Sequence, residues 1–247
     1  MIKFFRNIRQ NLLSEGKTVK YFKYAIGEIV LVVIGILIAL QLNNLNENRK
    51  IEETRQDYYA QLLEDLSKDR IYIKETISIL DSLKNDYDTY IKSFEKNDLS
   101  LNEALLNQSK LGYKSKVIWF NTNTIESLES TGEIKLISKS IRNKLIDLKR
   151  LQNRMLKVSD GNRKIFTDIL KLLTMEIGSG TLADRLASQP TLAKLFQLEK
   201  NYKNAFIIGD TYQEWKIITE VQTLNSLKEI LLEEDLLVNL INDELKK

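Results

Sequence analysis

The feature that most limits what this chain can fold into is an eighteen-residue run, Ala25 to Leu42, reading AIGEIVLVVIGILIALQL with one charged residue, Glu28. As a helix rising about 1.5 Å per residue it covers roughly 27 Å, close to the hydrocarbon thickness of a bilayer. The unbroken apolar stretch Ile29 to Leu40, with a basic tail before it and the polar NNLNENRK after it, reads as a membrane span rather than as a buried helix of a soluble core. The 247 residues then divide into a basic cytoplasmic tail (1–24), a transmembrane helix (25–42) and an extracytoplasmic domain (43–247).

Orientation follows from charge. Lys3, Arg6, Arg9, Lys17, Lys20 and Lys23 precede the span against a single acid, Glu15, whereas Arg49, Lys50 and Arg55 are the only bases in the flank that follows. Positive residues near a span stay on the cytoplasmic side, so the expected location is the inner membrane of a cell envelope, single-pass, with the C-terminal domain in the periplasm. The apolar run is longer than the core of a cleaved signal peptide, and its end, Ile38-Ala39-Leu40-Gln41, lacks a small-x-small cleavage pattern. An uncleaved signal anchor is expected.

The chain holds 37 Lys and Arg against 34 Asp and Glu, and the excess sits in the tail. The large domain is near neutral with its signs evenly mixed, which argues against a nucleic-acid partner. Membrane lipid is the partner that a basic tail implies. With one proline and nine glycines there is no linker, and about 205 residues suffice for one domain with its own core. The tail spaces Ile2, Phe5, Ile8 and Leu12 at helical intervals, so it can lie on the membrane surface up to Gly16.

Within the span, Glu28, Gly35 and Ala39 share one helix face. Small residues let two helices approach closely, and a carboxyl group prefers an interhelical site to lipid. The face is a candidate surface for membrane-helix association.

The string Tyr21-Phe22-Lys23-Tyr24-Ala25-Ile26-Gly27-Glu28-Ile29 through Ile34-Gly35-Ile36-Leu37-Ile38-Ala39-Leu40-Gln41, followed by Asn43-Asn44, resembles a family of uncharacterised bacterial single-pass membrane proteins. Ser127-Leu128-Glu129-Ser130-Thr131-Gly132, with Leu136-Ile137 downstream, resembles it too. The resemblance implies the anchored architecture and supplies no activity. It also implies a tryptophan where Leu45 stands, so an interfacial aromatic anchor is missing here.

Beyond the span, Asn43 to Asp57 contains neither Gly nor Pro, so the membrane helix can run on. Tyr59, Leu66, Ile73, Leu80, Tyr87 and Phe94 recur every seven residues, with Leu62, Leu83 and Tyr90 three later, a coiled-coil-like period. Asp69 and Thr76 at the other companion positions suit a helix packed in a bundle better than a strict two-stranded coil.

Ser100 with Glu103 reads as a capping box opening a short helix to Gly112, and Asn123 with Glu126 as the cap of another ending at Gly132. Between them Lys116-Val117-Ile118-Trp119-Phe120 is β-branched and aromatic enough for a short strand or extended segment. Ser138 is placed to cap a second long helix through Ile141, Leu145, Leu148, Leu151, Met155 and Val158 to Ile165, Ile169, Leu172 and Leu173, with a kink or break expected near Gly161. A short helix from Thr181 to Ala187 follows Gly178-Ser179-Gly180. A third long helix is expected from Thr191 to about Glu233, with Leu195, Leu198, Tyr202, Phe206, Tyr212, Trp215, Ile218, Val221, Leu224 and Leu227 on its buried side, before a terminal helix to Leu245. The fold class is all-α: one N-terminal transmembrane helix followed by an antiparallel helical bundle with long amphipathic helices.

No histidine and no cysteine occur, which removes Ser-His-Asp triads, thiol nucleophiles, and His- or Cys-ligated metals. Carboxylate runs such as Glu52-Glu53, Glu64-Asp65 and Glu233-Glu234-Asp235 read as solvated faces. No catalytic, metal or cofactor-binding residue is assigned and no cofactor is expected. Trp119 and Phe120, with Tyr212 and Trp215, are candidates for a ligand or partner surface, with core packing as the plainer use. The reading is a non-enzymatic, membrane-anchored scaffold or interaction component of the cell envelope, bound to a second copy or to another envelope protein. Alternatives are a ligand-binding sensory bundle signalling through a membrane partner and, more remotely, a carboxylate-only enzyme.

Overall fold

A computed structural model describes Thr18–Lys246, so the expected surface helix of the tail, residues 1–16, lies outside the described residues. Every regular element among them is helical: α1 (Thr18–Lys92), α2 (Leu101–Ser109), α3 (Asn123–Thr131), α4 (Lys139–Ile177), α5 (Leu182–Ala187), α6 (Pro190–Phe196) and α7 (Tyr202–Leu245), with 3-10 turns at Ser93–Glu95, Glu133–Leu136 and Leu198–Asn201. The chain forms two compact units, Met1–Asp57 and Tyr58–Lys247.

In the first unit no described side chain is buried. After the apolar stretch the helix stays regular through polar sequence because its charges pair one turn apart: Arg49 with Glu53 at 2.8 Å, Lys50 with Glu47 at 3.2 Å, and Arg55 with Glu52.

The second unit has one core, shared by α1, α4 and α7. Its members include Tyr59, Leu62, Leu66, Ile73 and Leu80 of α1, Ile141, Leu145 and Leu148 of α4, and Leu227, Ile230, Leu237 and Ile241 of α7. The seven-residue stripe is therefore core-facing from Tyr59 to Leu80. It ends because the helix ends: Phe94 falls in the 3-10 turn and is exposed, and Tyr90 takes the buried place.

Cross-helix pairs fix the directions. Lys144 meets Glu233, Asn162 meets Gln222, and Asn204 meets Glu176, so α4 and α7 are antiparallel. Arg70 meets Asp235 at 2.5 Å and Tyr90 meets Asp210 at 2.6 Å, so α7 is antiparallel to α1 as well. Tyr59 accepts the backbone N–H of Ser138 at the start of α4. The segment from Ser93 to Ser138 is thus a crossover that makes α4 parallel to α1.

Several expected boundaries need correction. Asn123 is the first residue of α3, and the cap position belongs to Thr122, whose hydroxyl meets Glu126 at 2.8 Å. The capping work is done from another helix, since the Asp65 carboxylate accepts the Thr124 N–H at 3.2 Å and its hydroxyl at 2.6 Å. No break occurs at Gly161. The exposed glycine costs a helix only about 1 kcal/mol, and α4 is held on both sides of it by buried Met155 and Phe166. The third long helix does not start at Thr191: α6 stops at Gln197, which has φ of 46°, and α7 begins after a 3-10 turn. Nor does it end at Glu233. The acidic run stays helical because Glu233 pairs with Lys144, Asp235 pairs with Arg70, and Glu234 points into the core.

Other signals read as expected. Ser100 and Glu103 form a capping box, and Ser138 holds the cap position of α4 without a side-chain cap bond. Gly132 closes α3 with φ of 74°, a conformation that other residues adopt at a cost.

Candidate functional site

The extended segment Gly112–Thr122 lies across the bundle and makes no strand. Its backbone groups are satisfied by side chains of all three long helices instead of by a neighbouring strand. The Asp69 carboxylate of α1 accepts the Asn121 N–H at 2.9 Å and its side-chain amide at 2.7 Å, and the Tyr72 hydroxyl donates to the Val117 carbonyl at 2.7 Å. From α7, Tyr212 donates to the Tyr113 carbonyl at 2.6 Å and Gln213 to the Gly112 carbonyl at 2.9 Å. From α4, Arg163 reaches the Lys116 carbonyl at 3.5 Å.

This strap separates the aromatic candidates. Trp119 is 50% exposed and lies on Tyr72, with ring centroids 4.6 Å apart, while Phe120 packs against the core. Tyr212 is fully buried between Tyr113 and Phe166. Trp215, one turn along α7, is 39% exposed. Tyr212 and Phe120 are packing residues, and the two tryptophans stand on different elements with their own surroundings.

In the apolar stretch, Glu28 is half-buried, and Gly35 and Ala39 are exposed; a methyl group added at Gly35 would meet nothing within 4 Å.

The core holds polar groups that apolar periodicity does not register. In the N-terminal half of α7, residues 205–223 (the outer half of this helix), the residues facing inward include Gln213, Lys216, Thr219, Glu220 and Thr223. Lys216 and Glu220 form a buried pair at 3.5 Å; burial raises the Glu220 carboxyl above its usual range and Lys216 opposes the rise. In the C-terminal half, Glu234 is completely buried, and neither carboxylate oxygen has a full hydrogen bond. Burial, then the nearby charge of Asp69, pushes its pKa up to about 8, with Arg70 opposing. Burial also raises Asp69, against the hydrogen bonds from Asn121. Burial thus favours the protonated, neutral form of Glu234. The run Glu233-Glu234-Asp235 is correspondingly not one solvated face, and its middle residue could have been singled out only by its phase against Leu227, Ile230, Leu237 and Ile241. Asp69 carried a visible signal, a carboxylate at a core position of a seven-residue stripe. Among the described residues no cluster of His, Cys, Asp or Glu is arranged to hold a metal ion.

Several recesses open on the second unit. One of about 570 Å³ lies among α5, α6 and the turn Leu198–Asn201, walled by alanines and lysine stems. Another, about 360 Å³, lies between α4 and α7 and is lined by uncharged polar side chains, among them Ser159, Asn162, Thr219, Gln222 and Thr223.

Residues 28–156, just over half of the chain, match the model of a family of unknown function, DUF6090. The chain belongs to this family. The DUF6090 match begins at Glu28 and takes in most of the apolar stretch, the rest of α1, the strap with Asp65 and Asp69, and the first half of α4. All of α7 lies outside it, and of the recess between α4 and α7 only Arg154 and Met155 fall within it. Searches of curated proteins and of solved structures return no match.

Proposed function

We propose that this DUF6090 protein is a non-enzymatic, single-pass membrane protein whose helical unit is an interaction component of the cell envelope, with the tail in the cytoplasm and the bundle on the far side of the inner membrane. The observation that carries the reading is the apolar window near the N-terminus, long enough to cross a bilayer, of which no residue is buried within the chain. A core helix of a soluble protein would bury such a window; this one has only lipid or another helix to meet. The six basic residues before it support the orientation.

A reporter active only outside the cytoplasm tests this. Fused after Lys247 it is expected to be active, and fused after Gly16 inactive, with the reverse pattern overturning the orientation.

The partner in the membrane is a second copy. Gly35 offers room for close helix approach, and Glu28 and Ala39 share its face. Gly35→Leu should abolish cross-linking between copies, whereas Val33→Leu, about 160° round the helix, should leave it intact. Equal cross-linking of both variants would leave that face to lipid.

A further inference from the structure

The recess between α4 and α7 has chemistry that close helix packing does not require. Ser159 and Thr223 are each only 6% exposed, line it, and have no hydrogen-bond partner in the protein for their hydroxyls. The residues are buried but neither hydroxyl oxygen is sealed from solvent, so both open onto the recess and are available to a ligand. Thr219, beside them, is satisfied by the Trp215 carbonyl at 2.9 Å, and Asn162 and Gln222 bond one another across the recess at 2.9 Å. The two unpaired hydroxyls face the open volume, with the amide of Asn225 and the hydroxyl of Ser226 at its edge.

The lining also says what would not bind. Its one charged member, Arg154, lies at the rim, strongly exposed, and faces Glu229 at 3.9 Å, so neither an anion nor a cation finds an uncompensated charge. Hydroxyls and primary amides both donate and accept, which suits a ligand with many uncharged donors and acceptors. Met155 and Val158 supply an apolar wall that fits a methyl group. Trp215 stands on the same face of α7, one turn before Thr219, and offers an exposed ring for the C–H face of a pyranose. A volume of about 360 Å³ lies in the lower part of the range of small-molecule sites, ~300–1,000 Å³.

We propose that this groove binds an uncharged carbohydrate carrying acetamido groups, an N-acetylated amino sugar or a short chain of them. The hydroxyls of Ser159 and Thr223 bond the ring hydroxyls, the acetamido group meets the Asn and Gln amides with its methyl on Met155 and Val158, and Trp215 stacks on the outer ring. The site is independent of which way the protein crosses the membrane.

The test uses the full chain in a sugar-free detergent with Trp119→Phe, which leaves Trp215 as the sole tryptophan. Titration with the β-1,4-linked dimer of N-acetylglucosamine should change Trp215 fluorescence saturably. Cellobiose, the same shape without acetamido groups, should bind about tenfold or more weaker, and so should the dimer to a Ser159→Ala/Thr223→Val variant whose helicity and melting match the parent. On the unsubstituted chain, saturation transfer should be strongest at the acetyl methyl protons, a readout that needs no variant to fold. Absence of saturable binding at millimolar dimer, equal affinity for cellobiose, or undiminished binding by the double variant would each overturn the proposal.

Discussion

The two halves of α7 bury the same kind of helix face with opposite chemistry. From Leu224 to Ile241 the inward residues are Leu224, Leu227, Ile230, Glu234, Leu237 and Ile241, aliphatic but for one carboxyl group. From Ala205 to Thr223 they are Ala205, Gly209, Tyr212, Gln213, Lys216, Thr219, Glu220 and Thr223. The facing helix changes less: α4 buries Ile141, Leu145, Leu148, Gln152 and Met155 opposite the aliphatic half, and Ser159, Phe166 and Leu173 opposite the other. The aliphatic half supplies most of the hydrophobic stabilisation, because only apolar area gains on leaving water. In the outer half, hydrogen bonds to the strap and a buried ion pair fix positions while adding little net free energy. One half holds the bundle together, and the other carries its specific contacts and its groove.

The difference can be broken by substitution. Leu227→Ala should cost about 2–5 kcal/mol by urea denaturation of residues 58–247, the compact unit with its own core, as expected of a fully buried leucine. Thr223→Val in the outer half should cost under about 1 kcal/mol in the same measurement, since its hydroxyl has no partner to lose. Comparable losses would mean that the halves do not divide the work.

Glu234 sharpens the comparison as the one exception among the inward residues of α7 from Leu224 to Ile241. Its folded pKa of about 8 exceeds the ordinary 4.5, so between these values the folded state keeps a proton that the unfolded state releases. The stability is fully present below about pH 4.5 and is lost as the pH rises through 8, with a slope of up to about 1.4 kcal/mol per pH unit for one proton. Asp69, also raised, adds in the same sense. Glu234→Gln keeps the size without the charge and should flatten most of that slope. An unchanged slope in its melting between pH 5 and 8 would place the titration elsewhere.

The same two halves account for what was legible in the sequence. Where the core is aliphatic, the seven-residue period found it: Tyr59, Leu66, Ile73 and Leu80 are buried, as are Ile141, Leu145, Leu148, Leu224 and Leu227. In the outer half the period misled by one residue. Of the apolar stripe expected on α4, Leu173 is buried, but Val158, Ile165 and Leu172 are exposed, and Ser159 and Phe166, each one residue on and rotated by about 100°, take the buried places. On α7, Trp215 and Ile218 were expected inside, and Lys216 and Thr219 are there instead; Leu195 is exposed on α6. Counting apolar residues cannot register a core in which lysine pairs with glutamate and glutamine binds a carbonyl.

The groove went unseen for the same reason, since Ser159, Thr223 and Asn225 carry no periodic signal and are joined only by the packing of α4 on α7. Met155 and Val158, named only as core positions, line it, and the candidate Trp215 lies one turn before Thr219 on α7. Caps fared better because their chemistry is local, as at Ser100, Gly132 and Gly178. Thr122 was missed as a cap because its helix start is held by Asp65, far away in sequence.

The division of labour within α7 is tested most directly by hydrogen exchange of the full chain, followed by mass spectrometry through α7. Opening free energies follow buried apolar contact, so peptides covering residues 224–241 should exchange last, with the global unfolding reaction, and those covering 205–223 measurably earlier through local opening. If residues 205–223 are protected as long as or longer than residues 224–241, the polar half carries as much of the stability as the aliphatic half, and the account is contradicted.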